Sequence, residues 1–226
     1  MPIRPNINRC YILLWLITGI SFLFLPFSCK DAVSESPSAI ARFRAEQKAD
    51  LEKILYGKSL LKDGDLVLRT GNDFISLTLR QFSVHNKTYS HCGIVRIIDG
   101  KIYVYNAIGG EDNPNARLRR DSFEAFCNPE HNTGFGIFRY SLTQVQFGRL
   151  DSMVDLYYKL RIKFDMKFDL KTDSAMYCAE FVYKAVTRAT EDSSFIPLSH
   201  IGDFEYVAID NLFLNGHTKP VYQAKF

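Results

Sequence analysis

Two β-rich runs on either side of Asp99-Gly100, in "SHCGIVRIIDGKIYVYNAIGG" (Ser90–Gly110), constrain this chain more than any other feature. Asp-Gly favours the tight two-residue loop whose backbone twist matches that of paired strands. With Asp99-Gly100 as the loop, Ile98 stands opposite Lys101 and the register of the whole hairpin is fixed. Side chains alternate along a strand, so His91, Gly93, Val95 and Ile97 share one face with Ile102, Val104, Asn106 and Ile108. That face is apolar except at its far end, where His91 and Asn106 are diagonal neighbours. A slip by one residue would turn the whole apolar set outward, which disfavours it.

The other elements read less sharply. The spacing of Ile40, Phe43, Leu51, Ile54 and Leu55 predicts a helix with one apolar face through "AIARFRAEQKADLEKIL". "KDGDLVLR" gives a turn and a strand, "FISLTLRQFS" reads as a helix, and "GFGIFRY" (Gly134–Tyr140) as another strand. Thr143 and Gln146 form a capping box for a helix carrying Phe147, Leu150, Val154, Tyr157 and Leu160. A further helix includes "DSAMYCAEFVYKAV" (Asp173–Val186), capped by Asp173 or Ser174, with Cys178 in its first turns. The tail from Phe195 to Phe226 is weakly patterned. These elements predict an α+β domain, an antiparallel sheet packed against helices.

The chain has 226 residues, 46% hydrophobic and 23% charged, which is globular composition. Its formal net charge is +3, to which Arg4 and Arg9 at the N-terminus contribute two positive charges. No basic cluster interleaved with aromatics is present, so nucleic acid is not an expected partner. Those arginines precede the apolar run "YILLWLITGISFLFL" and then "PFSCKD", the form of a secretory signal. Cys29 after Ser28 matches a loose lipobox. The expected organisation is a signal peptide over 1–28, a polar tether over 29–38 and one domain over 39–226. Lipidation at Cys29 would tether the domain to a membrane of the cell envelope, facing the periplasm or the surface. Simple cleavage and a retained anchor are the alternatives.

Beyond Cys10 and Cys29 the chain has Cys92, Cys127 and Cys178. An odd number in an exported chain leaves at least one free thiol. A Cys92–Cys127 disulfide is conceivable, and Cys178 is the odd one out. A helix N-terminus and a nearby imidazolium both favour a thiolate. Were this helix to pack on the His91/Asn106 face, Cys178 would supply the nucleophile, His91 the base and Asn106 the group orienting the ring. A buried structural cysteine and a histidine satisfied by an asparagine are the alternative reading. His85, His131, His200 and His217 lack metal-site spacing, so no metal and no cofactor are expected.

"GDLVLR", "YSHCGIV", "YVYNAIGG" and "KFDMKFDLKTDSAMYCAEFVYKA" occur in that order. Together they resemble the YiiX/YebB-like branch of the NlpC-type, papain-like cysteine hydrolases, over roughly Leu60 to Arg188. The resemblance implies a circularly permuted papain-like fold in which histidine precedes cysteine. It implies Cys178 as nucleophile, His91 as base and Asn106 as the third residue, where relatives often have glutamate. It also implies Asp65 near the cleft and Tyr177 lining the substrate groove; turn and core roles are their structural alternatives. The implied activity is hydrolysis of an amide through an S-acyl enzyme, without cofactor. Candidate substrates are a peptidoglycan stem peptide, a small peptide or an N-acyl amino acid. Lecithin–retinol acyltransferase relatives share the permuted arrangement, but their Asn-Cys-Glu-His motif differs from "YCAE" here. A non-catalytic envelope binding module is the third reading.

Overall fold

The computed structural model of the chain describes residues 36–109, 113 and 115–226. The signal segment 1–28, Cys29 and most of the tether lie outside the described residues. Helix α1 (Pro37–Leu60) leads into strand β1 (Leu66–Gly71), the short helix α2 (Phe74–Leu79) and a 3-10 turn over Arg80–Phe82. Strands β2 (His91–Ile98), β3 (Lys101–Asn106) and β4 (Arg119–Ser122) follow, then helix α3 (Phe123–Phe126) and strand β5 (Asn132–Tyr140). Helices α4 (Gln144–Lys159) and α5 (Cys178–Thr190) precede a small hairpin, β6 (Ser199–Ile201) with β7 (Phe204–Tyr206), and the last strand β8 (Thr218–Lys225). Six of the strands form one antiparallel sheet in the order β4-β3-β2-β1-β5-β8. A mixed fold with an antiparallel sheet and packed helices is therefore what the patterning predicts and what the chain adopts.

The β2–β3 register is the expected one, with Ile98 opposite Lys101 and Ile94 opposite Tyr105. Asp99 (φ +49°) and Gly100 (φ +74°) both occupy the left-handed region that a twisted two-residue loop demands. Alternation splits the hairpin between two cores. Val95 and Val104 join Val67, Phe123, Phe135 and Ile137 under one face. Cys92, Ile94, Tyr105 and Ala107 join Leu150, Val154 and the α5 side chains under the other. Gly93 keeps the strands close, since a Cβ there would lie 2.6 Å from the Tyr105 carbonyl oxygen and 2.6 Å from Val104 Cγ1.

Helix α5 buries Ala179, Val182, Ala185, Val186 and Ala189 at helical spacing. Three alanines along that stripe let the helix axis approach the sheet closely, and Phe181 and Val182 are fully buried. Each such large apolar side chain stabilises the fold by about 1.5–3 kcal/mol. This docking corrects the expected one, because α5 covers the Cys92/Ile94 face and not the face of Val95 and Val104.

Three other readings change. In α1, Ile54 is buried, while Phe43, Leu51 and Leu55 are each more than half exposed. The periodic stripe is present, but the sheet meets only the C-terminal part of the helix, from Lys53 and Ile54 onward. Cys92 and Cys127 are both free thiols in different cores, so no disulfide joins them. The weakly patterned tail supplies β8, an edge strand that pairs with β5 from Gly134 to Tyr140. The Thr143–Gln146 capping box is present as read.

Candidate functional site

Cys178 is the first residue of α5, with Tyr177 as its N-cap. The expected caps lie upstream; Asp173 instead pairs with Arg188 (2.6 Å) and Lys184 (3.0 Å). Glu180 completes the cap by accepting the Tyr177 backbone N–H at 3.2 Å. This start matters, because the first N–H groups of a helix have no intrahelical acceptor and carry its positive end. Cys178 sits where both act.

The Cys178 thiol is drawn well below its ordinary pKa. The largest cause is a hydrogen bond with the Cys92 thiol; burial opposes it; the hydrogen bond and charge of His91 and the backbone N–H of Cys92 add to it. Cys92 moves the opposite way, pushed up by full burial and by its neighbour. The sulfur of α5 thus rests against the first two residues of β2, at the end of the sheet. Cys178 is 8% exposed and His91 7% exposed, both at the wall of one cavity.

His91 has its second partner on α2. Its Nε2 lies 2.9 Å from Ser76 Oγ, and Ser76 Oγ donates to Asp73 Oδ2 at 2.6 Å. A hydroxyl has one proton, and an ionised carboxylate can only accept. Ser76 therefore gives its proton to Asp73 and accepts from His91, which fixes Nε2 as the protonated nitrogen and leaves Nδ1 as the acceptor. Asp73 also caps α2, accepting the Ser76 backbone N–H at 2.9 Å. Burial pushes the Asp73 pKa up, but the Ser76 hydroxyl and backbone bonds and the His91 charge outweigh it, and Asp73 falls below the usual carboxylate range. The short motif Asp73-x-x-Ser76 is legible as a cap. Its contact with His91 is not.

Asn106 does not take the expected part. Its amide donates to the Val104 carbonyl (3.1 Å) and to Asp121 Oδ2 (2.9 Å), and its buried Oδ1 has no hydrogen-bond partner among the described residues. The strand places it on the predicted face, but Ser76 holds the imidazole. Asp65 is also elsewhere. It is 1% exposed and locked in a two-pronged pair with Arg139 (2.6 and 2.7 Å), while accepting the Lys62 N–H. Asp65 therefore fixes the turn before β1 and takes no part in the cavity wall. Tyr177 does line the cavity; its hydroxyl accepts the Val207 N–H at 2.7 Å, and its ring packs 5.0 Å from Phe168.

The cavity beside Cys178 measures about 160 Å³. Leu79, Phe82, Ile108, Phe164, Tyr206 and Ile209 supply much of its wall; Lys167 brings a charge, and among the described residues no carboxylate lines it. Among the described residues no group of three or more His, Cys, Asp or Glu side chains is disposed to hold a metal ion.

No family model and no curated protein matches the sequence. Among solved structures, the chain is similar to one described as the crystal structure of metalloprotein yiiX from Escherichia coli O157:H7, DUF1105. The TM-score is 0.59 at 18% identity, over 73% of this chain and 98% of that one. This likeness establishes a YiiX-like fold. The metal in that protein's description has no counterpart in a ligand cluster among the described residues here.

Proposed function

We propose that the chain is a cysteine hydrolase of the permuted papain-like type that cleaves an acyl–nitrogen bond through an S-acyl enzyme. The observation that carries this reading is Cys178 at the first position of α5, its pKa depressed, beside a His91 whose tautomer Ser76 and Asp73 fix. A core cysteine has no need of either feature, and full burial alone moves a thiol the other way, as at Cys127. The order of the chain, histidine strand before cysteine helix, supports the permuted topology.

In the reaction, His91 Nδ1 takes the thiol proton as Cys178 Sγ bonds to the substrate carbonyl carbon. Backbone N–H groups at the start of α5 face the developing oxyanion. The C–N bond then breaks, and the nitrogen leaves with the proton from His91. Water attacks the thioester, gives a proton to His91 and releases the acid, and the proton returns to sulfur. Asp73 stays ionised throughout, stabilising the imidazolium through Ser76.

The apolar cavity favours a hydrocarbon acyl group over a polar stem peptide. The same lining favours a second reading, transfer of the acyl group to a lipid acceptor. Mass spectrometry after exposure to a neutral medium-chain p-nitrophenyl ester tests the first step. An acyl adduct on Cys178, absent in Cys178→Ala and at least 100-fold slower in His91→Ala, is expected. No adduct on the folded protein would leave only a binding module. Product analysis with water or a lipid alcohol as acceptor separates hydrolase from transferase.

Export and lipid attachment at Cys29 belong to the same proposal on sequence grounds. Incorporation of a palmitate analogue that Cys29→Ser abolishes is the expected result in cells.

A further inference from the structure

A second cavity, of about 330 Å³, shares Ile108 with the first as a lining residue. Its wall mixes Ile108, Ala125 and Phe126 with two cations, Arg69 and Arg119, two carboxylates, Asp73 and Asp121, and the side chains of Asn72, His131 and Asn132. Asp73, which orients His91 through Ser76, is thus also part of this wall.

Arg69 is the unusual member. It stands directly opposite His91 in the β1–β2 register, and opposed side chains on one face have Cβ atoms about 4.5–5.5 Å apart. Its Nη1 donates to the neutral Asn132 Oδ1 at 2.6 Å, and its guanidinium lies 5.3 Å from the Phe126 ring centroid. Its Nε is buried without an acceptor, and among the described residues no carboxylate lies within ion-pair distance of it. The acids in the wall bond to other groups than Arg69. Both Asp73 oxygens accept from Ser76, and Asp121 Oδ2 takes Arg119 Nε at 3.0 Å and the Asn106 amide. A guanidinium kept partly out of water with only an amide partner is costly unless an anion completes it. Burial lowers its pKa, with Asp73 and Cys178 among the charges acting against that.

We propose that this cavity is the leaving-group subsite, and that Arg69, with Arg119 at the rim, binds a carboxylate on the amine half of the substrate. The inference rests on the hydrolase reading for its direction: acyl chain in the apolar cavity, scissile bond at Cys178 and His91, amine half past Ile108. It names the substrate class as N-acyl amino acids with a free carboxylate. A planar carboxylate matches the two-pronged geometry of guanidinium.

Calorimetry on Cys178→Ala protein, which cannot turn over, separates binding from chemistry. The probes are N-decanoylglycine and N-decanoylglycinamide, which differ only in the charge of the terminus. The carboxylate is expected to bind at least 10-fold tighter, and the ratio to fall below 3-fold when Arg69→Gln is added. Arg69→Lys should retain part of it. Equal affinities with Arg69 intact overturn the proposal, and so does a ratio that survives Arg69→Gln. The comparison with Arg69 intact decides the matter even if the Arg69 variants do not fold. If the carboxylate is preferred but the neutral ester never acylates Cys178, the hydrolase reading fails and Arg69 stands as a carboxylate-binding site without a leaving-group role. If Cys178 is acylated but the carboxylate is not preferred, the subsite fails and the hydrolase reading stands.

Discussion

Replacing Ser76 with alanine removes one oxygen and two contacts, and its consequence can be worked from the geometry. Ser76 Oγ joins His91 Nε2 at 2.9 Å to Asp73 Oδ2 at 2.6 Å. When Cys178 gives up its proton, His91 becomes a cation, and its bond to Ser76 becomes charge-assisted. Hydrogen bonds to charged groups contribute about 1.5–3 kcal/mol. At about 1.4 kcal/mol per pH unit, losing this one should raise the apparent pKa of Cys178 by roughly one to two units. Alkylation by iodoacetamide, followed on the Cys178 peptide by mass spectrometry, reads the thiolate directly, and Cys92 and Cys127 are fully buried. The acid limb of the rate–pH profile should move up by that amount, so that at a fixed pH on that limb the rate should fall about 10- to 100-fold. Asp73 keeps its bond to the Ser76 backbone N–H, so α2 should remain capped and the loss of stability should stay near 1–3 kcal/mol. A folded Ser76→Ala protein with an unshifted profile refutes the relay.

Cys92→Ala removes the largest contribution to the depressed Cys178 pKa, so the acid limb of the alkylation profile should move to higher pH while the alkaline plateau is retained. Asp65→Asn weakens two charge-assisted bonds to the partly exposed Arg139 and should destabilise the protein by about 1.5–3 kcal/mol in denaturant melts, with Cys178 alkylation unchanged in the folded variant. Burial raises the Glu180 pKa to about 7 against the opposing pull of Lys184. The folded state therefore holds that proton more tightly than the unfolded chain. The resulting stabilisation is complete below about pH 4.5 and is lost as pH rises towards 7. Thermal melts across this window should show the decline in the wild type and a flatter curve in Glu180→Gln.

What the sequence by itself determined is local. Asp99-Gly100 set the β2–β3 register because only two residues bridge the strands, and the turn geometry accepts few others. Thr143-x-x-Gln146 capped α4 because both partners lie within one turn. Cys178 near a helix start and His91 on a strand could be read for the same reason. The start of α5 at Tyr177 could not, since Asp173 cap chemistry was diverted to Arg188 and Lys184, which come from later turns of the helix.

Only the tertiary structure decided which groups surround the thiol. Alternation places His91 and Asn106 on one face in any context, but the face that α5 covers depends on how well its alanine stripe fits the Cys92/Ile94 side. The partner of His91 Nε2 depends on where α2 docks, 15 positions back along the chain, and that brought Ser76 and Asp73 in place of Asn106. Asp65 reads as a cleft residue until Arg139, 74 positions away, closes on it. Hydrogen bonds and ion pairs act over a few ångströms of space regardless of sequence separation. Long-range packing, not local spacing, therefore chose the members of this site.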